Sequence, residues 1–380
     1  MGELGKTSII NKRDFTAWLV SGFFGILTGA FLVLGYQLET LDRIDFSDRN
    51  MLLAMLGLMV IVTIDIRYVW RNYDQAHEGK KLFGLIPLNS AAPKAVHGEK
   101  IFLTKEHIKT WGILLLLNLP VLLAEYPGFF VYDAQEELNE VLTRTFTTHH
   151  PLLHVLLLGG TIALVHKLIG SWNAGIFAYI FLQMLVITCI FAYVITFLQK
   201  RGIGKRSRTL WTIFYGAFPT IVMYTLCSSK DGLFSAFFLL LTALLVQLTE
   251  SPAEFVKEKG KVSAFIVAAV LMPCFRHNGF YAYLVFVPFL IFYFRKELSK
   301  KLAALIIIPV IAYLVISTLL SAVFTDGNTH HQEMLTVPIM QMARVYTFDK
   351  DSMTADEIST LINYIPAENL RMYTPEYQTL

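Results

Sequence analysis

Asp133, Glu136, Glu137 and Glu140 recur at spacings of one to four residues shortly before the pair His149-His150. A helix through this stretch would gather the four carboxylates on one face. A carboxylate held there could accept a proton from an incoming hydroxyl or help hold a divalent cation. An imidazole on the same loop could meet a phosphate or the acids. A plainer reading is open as well. Asp133 with Glu136 three residues on has the form of a capping box, and His149-His150 before Pro151 has the form of a helix start with proline in its first turn.

Three further stretches carry groups suited to an anion. Phe275-Arg276-His277-Asn278-Gly279 follows an apolar run of about 14 residues, or ~21 Å as a helix, short of the ~30 Å hydrocarbon layer. Arg276 is thereby expected below the membrane surface, where a guanidinium needs a partner such as a lipid phosphate, unless it snorkels to the headgroups. In Ser228-Ser229-Lys230-Asp231-Gly232, Lys230 could be a second phosphate contact, or could simply pair with Asp231 while serine and aspartate cap a helix. Pro338-Ile339-Met340-Gln341-Met342-Ala343-Arg344 reads as a short helix begun by proline, with Gln341 and Arg344 sharing a face or solvating it. The candidate set is thus Asp133 as catalytic carboxylate and Arg276, His277 and Lys230 as phosphate contacts. Glu136, Glu137, His149, His150, Gln341 and Arg344 stand in support, and Asp133 and Glu137 are the candidates for a metal.

The elements that must position these residues are membrane helices. The chain has 380 residues, 55% hydrophobic and only 16% charged, too apolar for one soluble core. The apolar residues come in blocks of about 20, the length of a spanning helix, without the alternating segments of a barrel. Helices are expected near 16–36, 51–70, 108–125, 173–198, 209–227, 231–249, 262–275, 279–294 and 302–323. The fold class is therefore all-α and polytopic, with about nine transmembrane helices.

Charge in the loops assigns the sides. Lys6, Lys12 and Arg13, and the loop with Lys80, Lys81, Lys94 and Lys100, are expected in the cytoplasm. The acidic stretches 37–50 and 126–149 are expected outside. Residues 199–208 hold Lys200, Arg201, Lys205, Arg206 and Arg208 without an acid, so an odd number of crossings must separate them from 126–149. Segment 151–168, with His154, His166, Lys167 and Gly159-Gly160, is the poorer of the two intervening blocks and is read as a helix at or dipping into the outer interface.

Three parts follow: a two-helix N-terminal segment with a basic cytoplasmic loop (1–107), a transmembrane core (108–323), and an extracytoplasmic C-terminal segment (324–380) with a helix at 355–364. The start is read as a retained anchor. The formal net charge of +3 gives no sign of nucleic-acid binding. Cys189, Cys227 and Cys274 lack metal-ligand spacing and are expected to pack.

An acidic first outer loop, a His-Pro segment opening an interfacial helix, and a span ending in a basic cytoplasmic turn together resemble the GT-C superfamily of membrane glycosyltransferases. Tyr126 to about Gly232 carries most of the resemblance. The turn 275–279 and Val337-Pro338-Ile339-Met340-Gln341 are similar to a poorly characterised bacterial branch. The resemblance implies a plasma-membrane enzyme with a polyprenyl-phosphate-linked sugar donor and a catalytic carboxylate in the first outer loop, which matches Asp133. Some branches show a second adjacent acid there; here Ala134 follows Asp133, which leaves any second acid and metal dependence open.

The residues agree on one point: every candidate acid is expected outside, where a lipid-carried donor is available. A phosphate leaving group needs little protonation, so one carboxylate base could suffice for an inverting transfer, without the two acids of a glycosidase. The competing classes are a transporter or flippase for a lipid-linked or small polar substrate, for which no internal repeat is visible, and a non-catalytic membrane scaffold.

Overall fold

The computed structural model describes residues 3–41, 43–77, 80–83, 86–87, 100–325 and 336–371. Lys94, the first part of the C-terminal segment and residues 372–380 lie outside them. The protein is an all-α polytopic membrane protein. Apart from a two-residue β-ladder between Lys81–Leu82 and Ile86–Pro87, the described elements are helices and their turns. The chain divides into two compact units, Met1–Pro87 with His331–Leu380, and Leu88–His330.

In the first unit, α1 (Glu3–Leu41) and α2 (Arg49–His77) form an antiparallel hairpin. Its close approach depends on Gly25 and Gly29. A Cβ at either would sit under 3 Å from Thr63 or Met59. Arg67 pairs with Asp14 and lies over the Trp18 ring. The remaining helices are α14 (Thr336–Phe348), α15 (Ala355–Tyr364) and α16 (Ala367–Arg371). Ala343, Tyr346, Leu361 and Leu370 form their small core. α15 occupies the expected 355–364, started by a Thr354/Glu357 capping box. α14 begins two residues before its proline.

The second unit holds the rest: α3 (Lys105–Ala124), α4 (Tyr132–Thr143), α5 (Leu152–Ile169), α6 (Trp172–Lys200), α7 (Lys205–Ala217), α8 (Pro219–Thr225), α9 (Lys230–Glu250), α10 (Pro252–Phe255), α11 (Lys259–Phe275), α12 (His277–Tyr293) and α13 (Lys300–Phe324). α6 is the central helix, buried over most of its length. Its partners are α3, α5 and α9, while α11 sits between α9 and α13. α3 runs antiparallel to α6. His107 Nε2 donates to the Cys189 carbonyl (3.1 Å), the Trp111 indole donates to Thr188 Oγ1 (3.1 Å), and the Tyr126 ring meets Phe177.

α5 flanks only the opening part of α6. His154 meets Tyr179, and Gly175 is pressed against Ile162, where a Cβ would lie 2.7 Å from the Ile162 carbonyl oxygen. The turn between them is tight, with Gly170 at φ +77° and Ser171 capping α6. α5 therefore starts at the level where α3 ends.

Seven helices among the described residues are long and apolar enough to cross a membrane: residues 14–41 and 49–75, α3, α5, α6, α9 and α13. The expected span 209–227 is two helices. Pro219 disfavours the α conformation at Phe218, which is extended (φ −70°, ψ 121°), and α8 starts afresh after α7 stops at Ala217. α11 and α12 have 17 residues each. They are shorter than a full span at ~1.5 Å per residue.

Candidate functional site

The site is built on a loop stapled to a distant turn. Gly128 (φ +111°) lets residues 127–131 lie against α6 and the 226–228 turn. A Cβ there would come 2.5 Å from Ile180 Cδ1. Phe129 pairs with Cys227 as an isolated parallel bridge. Its N–H donates to the Leu226 carbonyl (3.1 Å), and Ser228 N–H donates back to its carbonyl (2.9 Å). Val131 N–H donates to Ser228 Oγ (3.0 Å). Val131 is also the N-cap of α4, without a side-chain cap. Asp133 is therefore not part of a capping box and is left for other work.

That work is an ion pair. Lys230 Nζ donates to Asp133 Oδ2 at 2.9 Å and lies 3.9 Å from Glu137 Oε1. It also donates to His150 Nδ1 at 2.9 Å. Lys230 does not pair with Asp231; that carboxylate is bonded to Arg276. Asp133 is half exposed, whereas Glu137, His150 and His154 are buried.

The four acids lie on one side of α4 but differ in burial. Glu137 and Glu140 point inward, while Glu136 is exposed. Thr147 donates from its hydroxyl (2.8 Å) and backbone N–H (3.3 Å) to Glu140, folding the 144–150 loop back onto α4. Pro151 is the N-cap of α5 rather than its first residue, and neither histidine caps the helix. The His149 ring instead lies tilted against that of His150, with centroids 4.0 Å apart and planes at 53°.

Behind the ion pair runs a buried polar chain. His154 Nδ1 is hydrogen-bonded to Glu137 Oε2, and His154 Nε2 to Tyr179 Oη at 2.7 Å. Tyr179 Oη donates to Gln183 Oε1 at 2.9 Å, and Gln183 Nε2 donates to the carbonyls of Thr225 (3.2 Å) and Cys227 (2.6 Å). His154, which in the sequence weakens the 151–168 block as a span, is instead satisfied inside the protein. Tyr179 and Gln183 are missed by the sequence reading. Their one signal is an i, i+4 polar pair inside an otherwise apolar helix.

Burial and charge set the protonation of the groups in α4 and the 144–151 loop. For Asp133, burial raises the carboxyl, but the Lys230 ammonium outweighs it and the net pKa is lowered. For Glu140, burial prevails over the Thr147 hydrogen bonds and the pKa is raised. His150 is driven down to about 3, first by burial and then by the Lys230 charge. It is thus a neutral acceptor toward Lys230, with its proton on Nε2.

Two cavities flank the cluster. One, about 450 Å³, is lined by His150, Cys274, His277, Tyr313, Ser317 and Ser321. The other, about 470 Å³, is lined by Asp133, Tyr132, Tyr224, Met223, Ser229 and Asp231. Arg276 reaches the second through Asp231, and His277 Nδ1 meets Tyr313 Oη at 3.0 Å. The structure thus brings together Asp133, Lys230, Glu137, His149 and His150, and places Arg276 and His277 at the cavities. Gln341 and Arg344 lie on α14 in the other unit.

A divalent cation between Asp133 and Glu137 does not fit this donor set. Among the described residues no three His, Cys, Asp or Glu side chains converge as metal ligands. The Lys230 ammonium already takes the place that a cation shared by the two carboxylates would take.

Fold and site together define a polytopic helical membrane protein with a charged cluster between two cavities. Residues 141–376 match a family of unknown function, DUF6020, and the chain belongs to that family. No curated protein and no solved structure matches it.

Proposed function

We propose that the protein is a GT-C-type glycosyltransferase of the plasma membrane that moves a sugar from a polyprenyl-phosphate-linked donor to an acceptor on the extracytoplasmic face. The observation that carries the reading is Asp133: a half-exposed carboxylate on a cavity wall, held by an ammonium that a phosphate could draw away. The topology rests on loop charge. This reading takes α6 as the one crossing between the acidic loop 126–149 and the basic turn 199–208 and α5, although long and apolar enough to span, as lying at the outer interface.

In this reading the resting Asp133 is a weak base, because Lys230 favours its charged form. A donor phosphate would recruit Lys230, and Arg276 would turn from Asp231 to the same anion, with His277 alongside. Asp133, released, accepts the proton of the acceptor hydroxyl. The hydroxyl oxygen bonds to the anomeric carbon, the bond from that carbon to the phosphate oxygen breaks, and polyprenyl phosphate leaves with the electron pair. Inversion follows from the single displacement.

A transporter reading draws on the break at Phe218–Pro219, since interrupted helices are common in transporters. Envelope glycan analysis of cells carrying wild type, Asp133→Asn or Arg276→Ala at equal expression separates the two. Loss of one glycan in both variants supports transfer. Unchanged glycans in both, in a background where deleting the whole protein has a phenotype, support transport or a scaffold.

A further inference from the structure

We infer that Glu137 and His154 together hold one proton more than a free carboxylate and a neutral imidazole would, and that this shared proton positions Lys230 on Asp133. The hydrogen bonds of the polar chain fix each proton in turn from its far end. Gln183 Nε2 faces three backbone carbonyl oxygens, those of Cys227 (2.6 Å), Thr225 (3.2 Å) and Tyr224 (3.4 Å). Turning the amide over would set its oxygen against all three, so its orientation is forced. Gln183 Oε1 therefore faces Tyr179 Oη and needs a donor, and the tyrosine hydroxyl has one proton to give. That proton is committed to Gln183. Tyr179 Oη must then accept from His154, and His154 Nε2 must carry a proton.

The consequence falls on the other ring nitrogen. His154 Nδ1 lies against Glu137 Oε2 with both atoms buried. With Nε2 already protonated, a neutral imidazole would present a lone pair to a carboxylate lone pair. A proton must lie between them, either on Nδ1, giving an imidazolium beside a carboxylate, or on Glu137, giving a carboxylic acid beside a neutral ring. Both forms have the same total charge, zero for the pair.

The charge of the pair decides where Lys230 goes. The charged and titratable groups around Glu137 and His154 are Lys230 from α9, His150 from the loop, Asp133 and Glu140 from α4, and Tyr179 from α6, with Cys227 behind it. A bare Glu137 carboxylate would compete with Asp133 for Lys230. The observed distances, 3.9 Å to Glu137 against 2.9 Å to Asp133, fit a Glu137 whose charge is already answered by the shared proton. Glu137 and His154 are positioning residues: removing their proton would pull Lys230 inward and release Asp133. None of this depends on which group the enzyme transfers.

The test is ¹⁵N NMR of the full chain with labelled histidine, in lipid nanodiscs. Glutamate is labelled at its carboxyl carbon, and the His154 signals are assigned by their contact to that carbon in His150→Gln, which removes the other imidazole near Glu137. The expected result is a protonated Nε2 near neutral pH, and its conversion to the Nδ1–H tautomer in Tyr179→Phe, which removes the acceptor. A wild-type His154 with an unprotonated Nε2 overturns the inference, as does a protonated Nε2 that persists unchanged in Tyr179→Phe. Should that variant fail to fold, the wild-type spectrum alone decides. An unchanged glycan profile in Asp133→Asn would count against sugar transfer and leave this result untouched.

Discussion

Lys230 Nζ lies 2.9 Å from Asp133 Oδ2 although 97 residues separate them in the chain. The same ammonium is the hydrogen-bond donor to His150, so one cation neutralises the outer carboxylate and fixes the histidine tautomer. Lys230→Met would leave Asp133 without its partner. The expected cost is about 1–3 kcal/mol, less than for a fully buried pair because Asp133 is half exposed. Asp133→Asn in the same chain should lose less than the sum of the two single changes, since the second change removes the orphaned charge. Chemical or thermal unfolding of the detergent-solubilised protein measures both, and simple additivity would mean that the pair is not coupled.

Much of this arrangement is readable from the sequence, and the part that is not has a physical cause. The apolar blocks and the 355–364 helix follow from composition and local capping signals. Asp133 and Lys230 are both visible as candidates, but their pairing depends on the Phe129–Cys227 bridge, a contact between segments that no local pattern links. Local rules instead suggest partners close in sequence, Glu136 for Asp133 and Asp231 for Lys230, and tertiary contacts override both. The break at 218–219 does have a local signal, Pro219, hidden by the apolar residues on either side.

His150 gives a pH dependence with a defined sign. In the unfolded chain its pKa is near the ordinary ~6.5, and in the fold it is lowered to about 3. Above the unfolded value the imidazole is neutral in both states and costs nothing. As the pH falls below ~6.5 the unfolded state takes up a proton that the folded state refuses, so stability declines progressively toward about pH 3. Asp133, with its lowered pKa, loses its contribution only as the pH falls through its folded value, below the ordinary carboxylate range. The upper part of the decline therefore belongs to histidine. His150→Gln keeps a neutral acceptor for Lys230 and should flatten the melting temperature between about pH 6.5 and 5; an undiminished slope there would assign it to another group.

Gly159 and Gly160 are neighbours with opposite expected behaviour. A Cβ at Gly159 would lie 2.5 Å from Val141 Cγ2 and 3.1 Å from the Glu137 carbonyl oxygen, so this glycine is where α4 rests on α5. Gly160 has nothing within 4 Å. Gly159→Leu should destabilise by about 1–3 kcal/mol and push Glu137 off His154. Gly160→Ala should be neutral or stabilise by roughly 0.5–1 kcal/mol, because alanine costs less backbone entropy in a helix. Equal effects on the thermal midpoint would show that α4 does not pack at Gly159.

The Arg276–Asp231 pair separates folding from function. Both side chains are substantially exposed, so the pair is expected to contribute only about 0–1 kcal/mol to stability. Arg276→Ala should accordingly leave the melting temperature nearly unchanged. If Arg276 turns to a phosphate during the reaction, the same change removes a charge-assisted contact made to the substrate, and the envelope glycan should fall at least tenfold, the effect of about 1.4 kcal/mol. Asp231→Asn makes the opposite prediction for binding: the guanidinium is freed from its internal partner and should bind a polyprenyl phosphate more tightly. A tighter Asp231→Asn together with a weaker Arg276→Ala, measured by binding of that lipid to the full chain in nanodiscs, would tie the arginine to the phosphate; equal binding in both would confine the pair to a surface contact.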